Sequence, residues 1–311
     1  MKGGWKKLQP PVIGYGAYEV MLMRLFFGIL LYYNLPVLEK FPTQPEPNGL
    51  ALFNIDFTWA SNPEVMGILK WILVPVLAIY VWGKVPWLTL PYMFWLSLGV
   101  GTLKNSQGSI SHVTQIITLV LMVQCGWAVY LAVRRALGMP HHFRTGWTGR
   151  SMEVFLSQSA MASIYLTTAI NKLIRSDGQW LWDIRRIGVD LEKTWQQDYY
   201  NRLGHDAPQW ATAIKNLVTE HPIWAVILFG PGLLAELFAP LALYGRKWAL
   251  TFGVLLIILH LGAIHVMRLT FEQNIWCLVI FFVNVPFWIH VFLKWNKKVS
   301  ADRAREVRKA R

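Results

Sequence analysis

The sequence predicts an all-α, polytopic integral membrane protein of about eight transmembrane helices plus an outer interfacial helix. Three observations carry this. The chain of 311 residues is 54% apolar, with a mean hydropathy of +0.35. Only 15% of its residues are charged, against roughly 25% in a typical soluble domain. Its apolar residues also gather in runs near the roughly 20 residues that span a bilayer. These features exclude a disordered chain and set aside a soluble globular enzyme. The two Cys cannot build a disulfide scaffold, and with no C-x-x-C or Cys/His ligand spacing no metal or thiol-redox site is expected.

The runs are 13–37, 64–82, 86–103, 112–134, 151–173, 222–243, 249–269 and 274–293. The first contains Glu19 and Arg24 and lacks a small-residue cleavage site, so it does not read as a removable signal peptide. Run 86–103 stops at Lys104-Asn105-Ser106-Gln107-Gly108-Ser109, a stretch that reads either as an outer loop or as a re-entrant break. With the N-terminus inside, 18 Lys and Arg fall on the inner side and 10 on the outer, while 12 of the 17 acids fall outside. The positive-inside rule then gives eight spans in the inner or plasma membrane with both termini cytoplasmic. Residues 1–293 form one transmembrane domain with an outer loop at 174–221, and 294–311 form a basic cytoplasmic tail facing anionic lipid. That orientation accounts for the net charge of +13, so nucleic acid is not expected as a partner and membrane lipid is.

Trp82, Trp87, Trp224, Trp248, Trp276 and Trp295 sit near span ends, as in an interfacial aromatic belt. In the outer loop, Trp210, Ile214, Leu217 and Val218 recur at helical spacing after Asp206, a candidate N-cap, and Pro208. This is a short amphipathic helix, either packed on the outer surface or closing a membrane pocket. Cys125 and Cys277 fall near opposite ends of their spans, out of reach of each other.

Ionisable groups at membrane depth are costly, so each is a site candidate. Glu19 and Arg24 stand about 140° apart on one helix, so Arg24 is expected to pair with a carboxylate on another span, Glu236 being one candidate. Lys70 snorkels or lines an inner cavity. His112 opens the fourth span ahead of Gln115, Thr118 and Met122, a polar stripe turned toward neighbours. In the fifth span Ser159, Ser163, Thr167 and Asn171 lie four apart, followed by Lys172. Two readings stand for that Lys: an interfacial anchor, or an amine whose apolar surround makes it a general base. His260 and His265, five apart, lack the His-x3-His spacing of a helical zinc pair and read as core residues or proton shuttles.

Three segments together carry a likeness: Met23-Arg24-Leu25-Phe26-Phe27-Gly28-Ile29-Leu30; Ile164-Tyr165-Leu166 through Ala169-Ile170-Asn171-Lys172-Leu173; and 233–243 with Arg246 and His260-Leu261-Gly262 through Met267. In this order and spacing, over most of 17–290, the chain resembles the horizontally transferred transmembrane family. That family includes the membrane part of vitamin K-dependent gamma-glutamyl carboxylase. The resemblance implies a lyase-like chemistry in which the Lys of a Lys-Leu motif, here Lys172, deprotonates a reduced quinone. Reaction with oxygen then yields a strong base and an epoxide. An Asn-His pair of the carboxylase falls on Ser111-His112, so only the His is matched. A later His falls on His265 by its spacing from Phe271 and on His260 by the broader family pattern.

The expectation is therefore a membrane enzyme acting on a quinol or another lipophilic substrate. Lys172 is the base, His112, His265 and His260 orient or shuttle protons, and Asn171, Arg24, Gln115 and Glu236 hold the substrate or cofactor. The implied cofactor is a reduced, vitamin K-like quinone. The carboxylase carries a large lumenal region after its membrane part, whereas this chain ends 18 residues beyond its last span, so propeptide-directed carboxylation is not expected. The alternative, drawn from other relatives, is a non-catalytic membrane partner in maturation or export of a secreted or periplasmic peptide or protein. A transporter has less support, because the sequence shows no inverted repeat.

Overall fold

The computed structural model describes residues 10–35, 55–105, 115–139, 147–202 and 207–294. Among the described residues every regular element is helical. The helices are α1 (Ala17–Tyr33), α2 (Pro63–Val81), α3 (Pro86–Asn105), α4 (Gln115–Ala136), α5 (Gly149–Arg175), α6 (Trp180–Asp183), α7 (Ile187–Arg202), α8 (Gln209–Glu220), α9 (Ile223–Leu237), α10 (Arg246–Met267), α11 (Glu272–Leu278) and α12 (Val285–Lys294). Each of the eight apolar runs carries a helix. By length and apolarity, α2, α4 and α10 can each cross a membrane. Two bent pairs bring the number to five if each pair is one span: α8 with α9, at 106°, and the segment from α11 with α12, at 41°. The remaining runs fall short for visible reasons. Helix α1 has 17 residues, Pro, Gly and Thr dilute α3, and the 27-residue α5 carries a polar face.

Local chemistry sets the ends. Asn62 caps α2, its side chain accepting from the Glu64 and Val65 amides at 3.0 and 3.2 Å, and Pro63 occupies the first turn. The Thr148 hydroxyl caps α5 at the Ser151 amide. Pro240 ends α9 at mid-run and forces the 3-10 turn Ala239–Tyr244. Past α11 the chain loosens into the π-helical turn Val279–Val283 and reaches Asn284 in the left-handed region. There the Gln158 amide donates to the Phe281 carbonyl at 2.7 Å, satisfying an acceptor in the loosened turn.

Helix α5 is the hub, packed on α4, α9, the 3-10 turn and the π turn. A polar ladder runs through the bundle beside it: the Tyr80 hydroxyl donates to Gln124 Oε1, and Gln124 Nε2 donates to Ser157 Oγ, both at 2.9 Å. Lys70 donates to the Leu35 carbonyl at 3.1 Å and lies over the Tyr32 ring, so it closes the end of α1. Large apolar side chains on α2, α9 and α10, including Ile68, Trp71, Ile227, Leu228 and Ile258, face outward, as do Trp82, Trp87, Trp224, Trp248 and Trp276. Trp295 lies outside the described residues. Both cysteines are free.

Gly83 shows how tightly the turn between α2 and α3 is fitted. Its φ is +71°, and a Cβ there would sit 2.2 Å from Arg24 Nη1. Gly83→Ala is expected to cost at least ~1–2 kcal/mol, from left-handed strain alone; thermal unfolding in detergent measures it.

The loop 174–221 carries α6 and α7 as well as the expected α8 in its described part. Pro208, not Asp206, stands at the α8 N-cap; Asp206 lies outside the described residues. Ala211 and Val218 are buried, while Trp210 and Leu217 are exposed. Ile187, Leu191, Val218 and Ala225 form a small separate core. Trp195 Nε1 donates to the Val266 carbonyl at 3.1 Å, and Arg268 pairs with Asp198 at 3.0 Å, so α7 is fastened to the end of α10. Between α7 and α8, Lys215 pairs with Glu192 at 2.7 Å. The Gln196 amide and the Lys215 ammonium together hold the Glu192 carboxyl below its ordinary value of 4.5. A depressed carboxyl contributes stability above its unfolded value and loses it as pH falls through the folded one. The protection of α8 amides, their exchange rate taken relative to the intrinsic rate at each pH, is therefore expected to fall below about pH 4.5 and to change little above it.

Candidate functional site

Lys172 lies in the last turn of α5, where a cation complements the helix dipole. Beyond it, Asp177 and Gly178 both take positive φ and fold the chain back, so that Trp180 at the start of α6 comes over the ammonium, 5.7 Å from ring centroid to Nζ. From the other side Glu236, the penultimate residue of α9, accepts from Lys172 Nζ at 2.5 Å. The Glu236 side chain is 6% exposed and the Lys172 side chain 32%. The pair is thus closed at the carboxylate and open at the amine. It sits where Pro240 interrupts the helix, and irregular backbone at membrane depth is tolerated where protein encloses it.

A second pair adjoins the first. Tyr165, two turns before Lys172 on α5, hydrogen-bonds His260 Nε2 of α10 through its hydroxyl at 2.9 Å. Both groups are buried. The His260 ring is also flanked by Phe271, at 4.8 Å between centroids. Asn274 of α11 reaches the Tyr165 hydroxyl, and its own Oδ1 is buried with no partner. The Lys172 charge acts on His260, and the Glu236 charge acts on Tyr165. Five polar side chains from four helices thus form one electrostatic unit, and Ala235, Leu256 and Cys277 on three of those helices are buried. An amine, a carboxyl, a phenol and an imidazole can each take or release a proton. Apolar walls strengthen the coupling between them. Among the described residues no group of three or more His, Cys, Asp or Glu could hold a metal ion.

Of the residues singled out from sequence, Lys172, Glu236 and His260 come together here. His265, five residues beyond His260, is exposed, and Asn171 is exposed beside Lys172. Gln115 is half-buried in the first turn of α4. His112 lies outside the described residues, as does most of the stretch considered as a re-entrant break. Arg24 does pair across helices, but with Glu153 and not Glu236. Nε–Oε1 is 2.9 Å and Nη2–Oε2 is 2.5 Å. Glu153 precedes Lys172 by 19 residues, about 28 Å along α5, so Glu236, committed to Lys172, is far from Arg24. Glu19 also pairs across helices, with Arg246, and accepts from Asn284.

The hydroxyl stripe of α5 turns away from the bundle. Ser163, Thr167 and Asn171 are exposed, and the Ser159 and Ser163 hydroxyls donate to carbonyls four residues back. A strict spacing of four advances about 40° per step, so the stripe winds off the packed face. The buried face instead carries Ser151, Ser157, Gln158 and Tyr165. On α4, Thr118 does meet a neighbour, Ser97, at 2.7 Å, whereas Met122 is exposed.

Glu153, Asn274 and Trp180 were not among the candidates. Two were legible only with the fold in hand: Asn274 opens a short helix, and Trp180 reads as one more aromatic in a loop. Glu153 stands in the fifth run and could have been weighed as an intramembrane acid. Compared with protein-family models, curated proteins and solved structures, the chain gives no match in any of the three.

Proposed function

We infer that this is an eight-span membrane enzyme, with both termini on the inner side, that removes a proton from a lipophilic hydroxyl compound of the quinol class. The reading follows the resemblance to the membrane part of vitamin K-dependent carboxylase. The observation that carries it is the Lys172–Glu236 pair, buried at its acid and accessible at its amine. Transfer of the ammonium proton to Glu236 leaves a neutral amine beside a neutral acid, a state with no buried charge. The amine then takes the hydroxyl proton of the substrate, giving a quinolate next to the Lys172 ammonium. Tyr165 and His260, hydrogen-bonded to each other and within electrostatic reach of the pair, are the groups that take the excess proton onward. A reduced vitamin K-like quinone is the proposed cofactor, with oxygen as the next reactant.

Purified protein incubated with reduced menaquinone and oxygen is expected to yield a product one oxygen atom heavier than the quinone, detected by mass spectrometry. The product should vanish in Lys172→Ala. Equal yields from wild type and variant would remove Lys172 from the chemistry.

A second reading, a non-catalytic partner for a secreted or periplasmic peptide, is favoured by the outer layer, where Trp182, Val189 and Tyr200 are exposed. It requires that a secreted protein co-purify with the full chain and be lost on deleting 180–215.

A further inference from the structure

The outer layer holds a cavity that the proton-transfer reading does not use. It lies between α7 and α8 and has a volume of about 310 Å³, at the lower end of the range for small-molecule sites. Its walls follow from helical spacing. Glu192, Trp195, Gln196 and Tyr199 occupy one face of α7 at the i, i+3, i+4 and i+7 positions. Thr212 and Lys215 face them from α8.

The chemistry is that of a paired receptor. Trp195 is held rigid: Nε1 donates to the Val266 carbonyl, Trp210 meets the ring edge-to-face, and Arg268 lies against it at 5.1 Å. Tyr199 adds a second, more exposed ring one turn on. Aromatic faces beside a carboxylate attract an ammonium group. Glu192 accepts one hydrogen bond on each oxygen, from Gln196 at 2.9 Å and Lys215 at 2.7 Å. A carboxylate has about four acceptor sites and an ammonium three donors, so both groups keep capacity. The pair is neutral in sum. A lone cation would meet Lys215, and a lone anion would meet Glu192. A ligand carrying both charges can lay its cation on Glu192 and the rings and its anion on Lys215 and Thr212.

We propose that the α7–α8 cavity binds a zwitterionic ligand in which an ammonium and a phosphodiester lie a few atoms apart. Two sources share that chemistry: a lipid headgroup at the outer surface, and a free headgroup-like solute.

The test uses the full chain in a non-ionic detergent. Glycerophosphocholine and glycerophosphoethanolamine are titrated by calorimetry, with choline and glycerol 3-phosphate as singly charged controls. Saturable binding of at least one zwitterion is expected, with both controls weaker by about tenfold or more. Tyr199→Ala and Lys215→Met, both at partly exposed positions, should each weaken it by a similar factor; Tyr199→Ala should leave the melting temperature unchanged, so its effect on binding does not come from the contact of Lys215 with Glu192. In a second arm the protein is placed in nanodiscs of phosphatidylcholine or phosphatidylglycerol, and contact of the headgroup with Tyr199 is read by crosslinking from that position. Binding of the free zwitterion assigns the site to a solute. Headgroup crosslinking specific to phosphatidylcholine, without free binding, assigns it to lipid. Absence of both overturns the proposal. So does binding in which the controls match the zwitterion or the variants match wild type. Quinol turnover by Lys172 can succeed or fail independently of any of these outcomes.

Discussion

Replacing Glu153 with Leu should lower stability by about 3–5 kcal/mol. The variant leaves the Arg24 guanidinium inside the bundle without its two-pronged acceptor. The side chains are 12% and 10% exposed, so water screens the pair little. What is lost is mostly the cost of an orphaned charge rather than the worth of the bond. The double variant Arg24→Met, Glu153→Leu removes both charges and should recover most of the loss. Unfolding in detergent, followed by circular dichroism against temperature, separates the cases. A single variant that melts with wild type would show that Arg24 finds water or lipid phosphate instead.

The Lys172–Glu236 pair calls for the same logic with a functional readout. On the proposed chemistry, Lys172→Ala should reduce quinol turnover by about 10²–10⁴-fold, the usual contribution of a positioned base. It also leaves Glu236 buried without its cation, so a loss of activity could be a loss of fold. Adding Glu236→Gln to Lys172→Ala removes that charge. The double variant should melt near wild type and remain inactive. Glu236→Gln alone keeps the amine but removes the group that receives its proton, so turnover should fall while substrate still binds. Recovery of turnover in the double variant would place the base elsewhere.

The helices were legible because apolar runs of bilayer length leave few alternatives. Ion pairing was half legible. The spacing of Glu19 and Arg24 excluded a bond within the helix, yet partner choice depended on depth, which periodicity does not encode. At the site, Lys172 and His260 could be marked as costly groups at membrane depth. Their meeting through Tyr165 and Glu236 depends on how α5, α9 and α10 cross. The stripe at Ser159, Ser163, Thr167 and Asn171 is no guide to the packed face, because hydroxyls can satisfy themselves on their own helix. Asn274 was hidden in a short segment whose place beside α5 only the tertiary fold sets.

The two ties from α7 to α10 couple movement of one helix to the other. Trp195 holds the Val266 carbonyl and Arg268 holds Asp198, both at the end of the helix that carries His260. Moving α7 would therefore pull on the last turn of α10, where Val266 lies about 9 Å from His260 by helix rise. The place of α7 and the last turn of α10 are thus set together, so a substitution that frees Trp195 or Asp198 loosens the C-terminal end of the helix that carries His260.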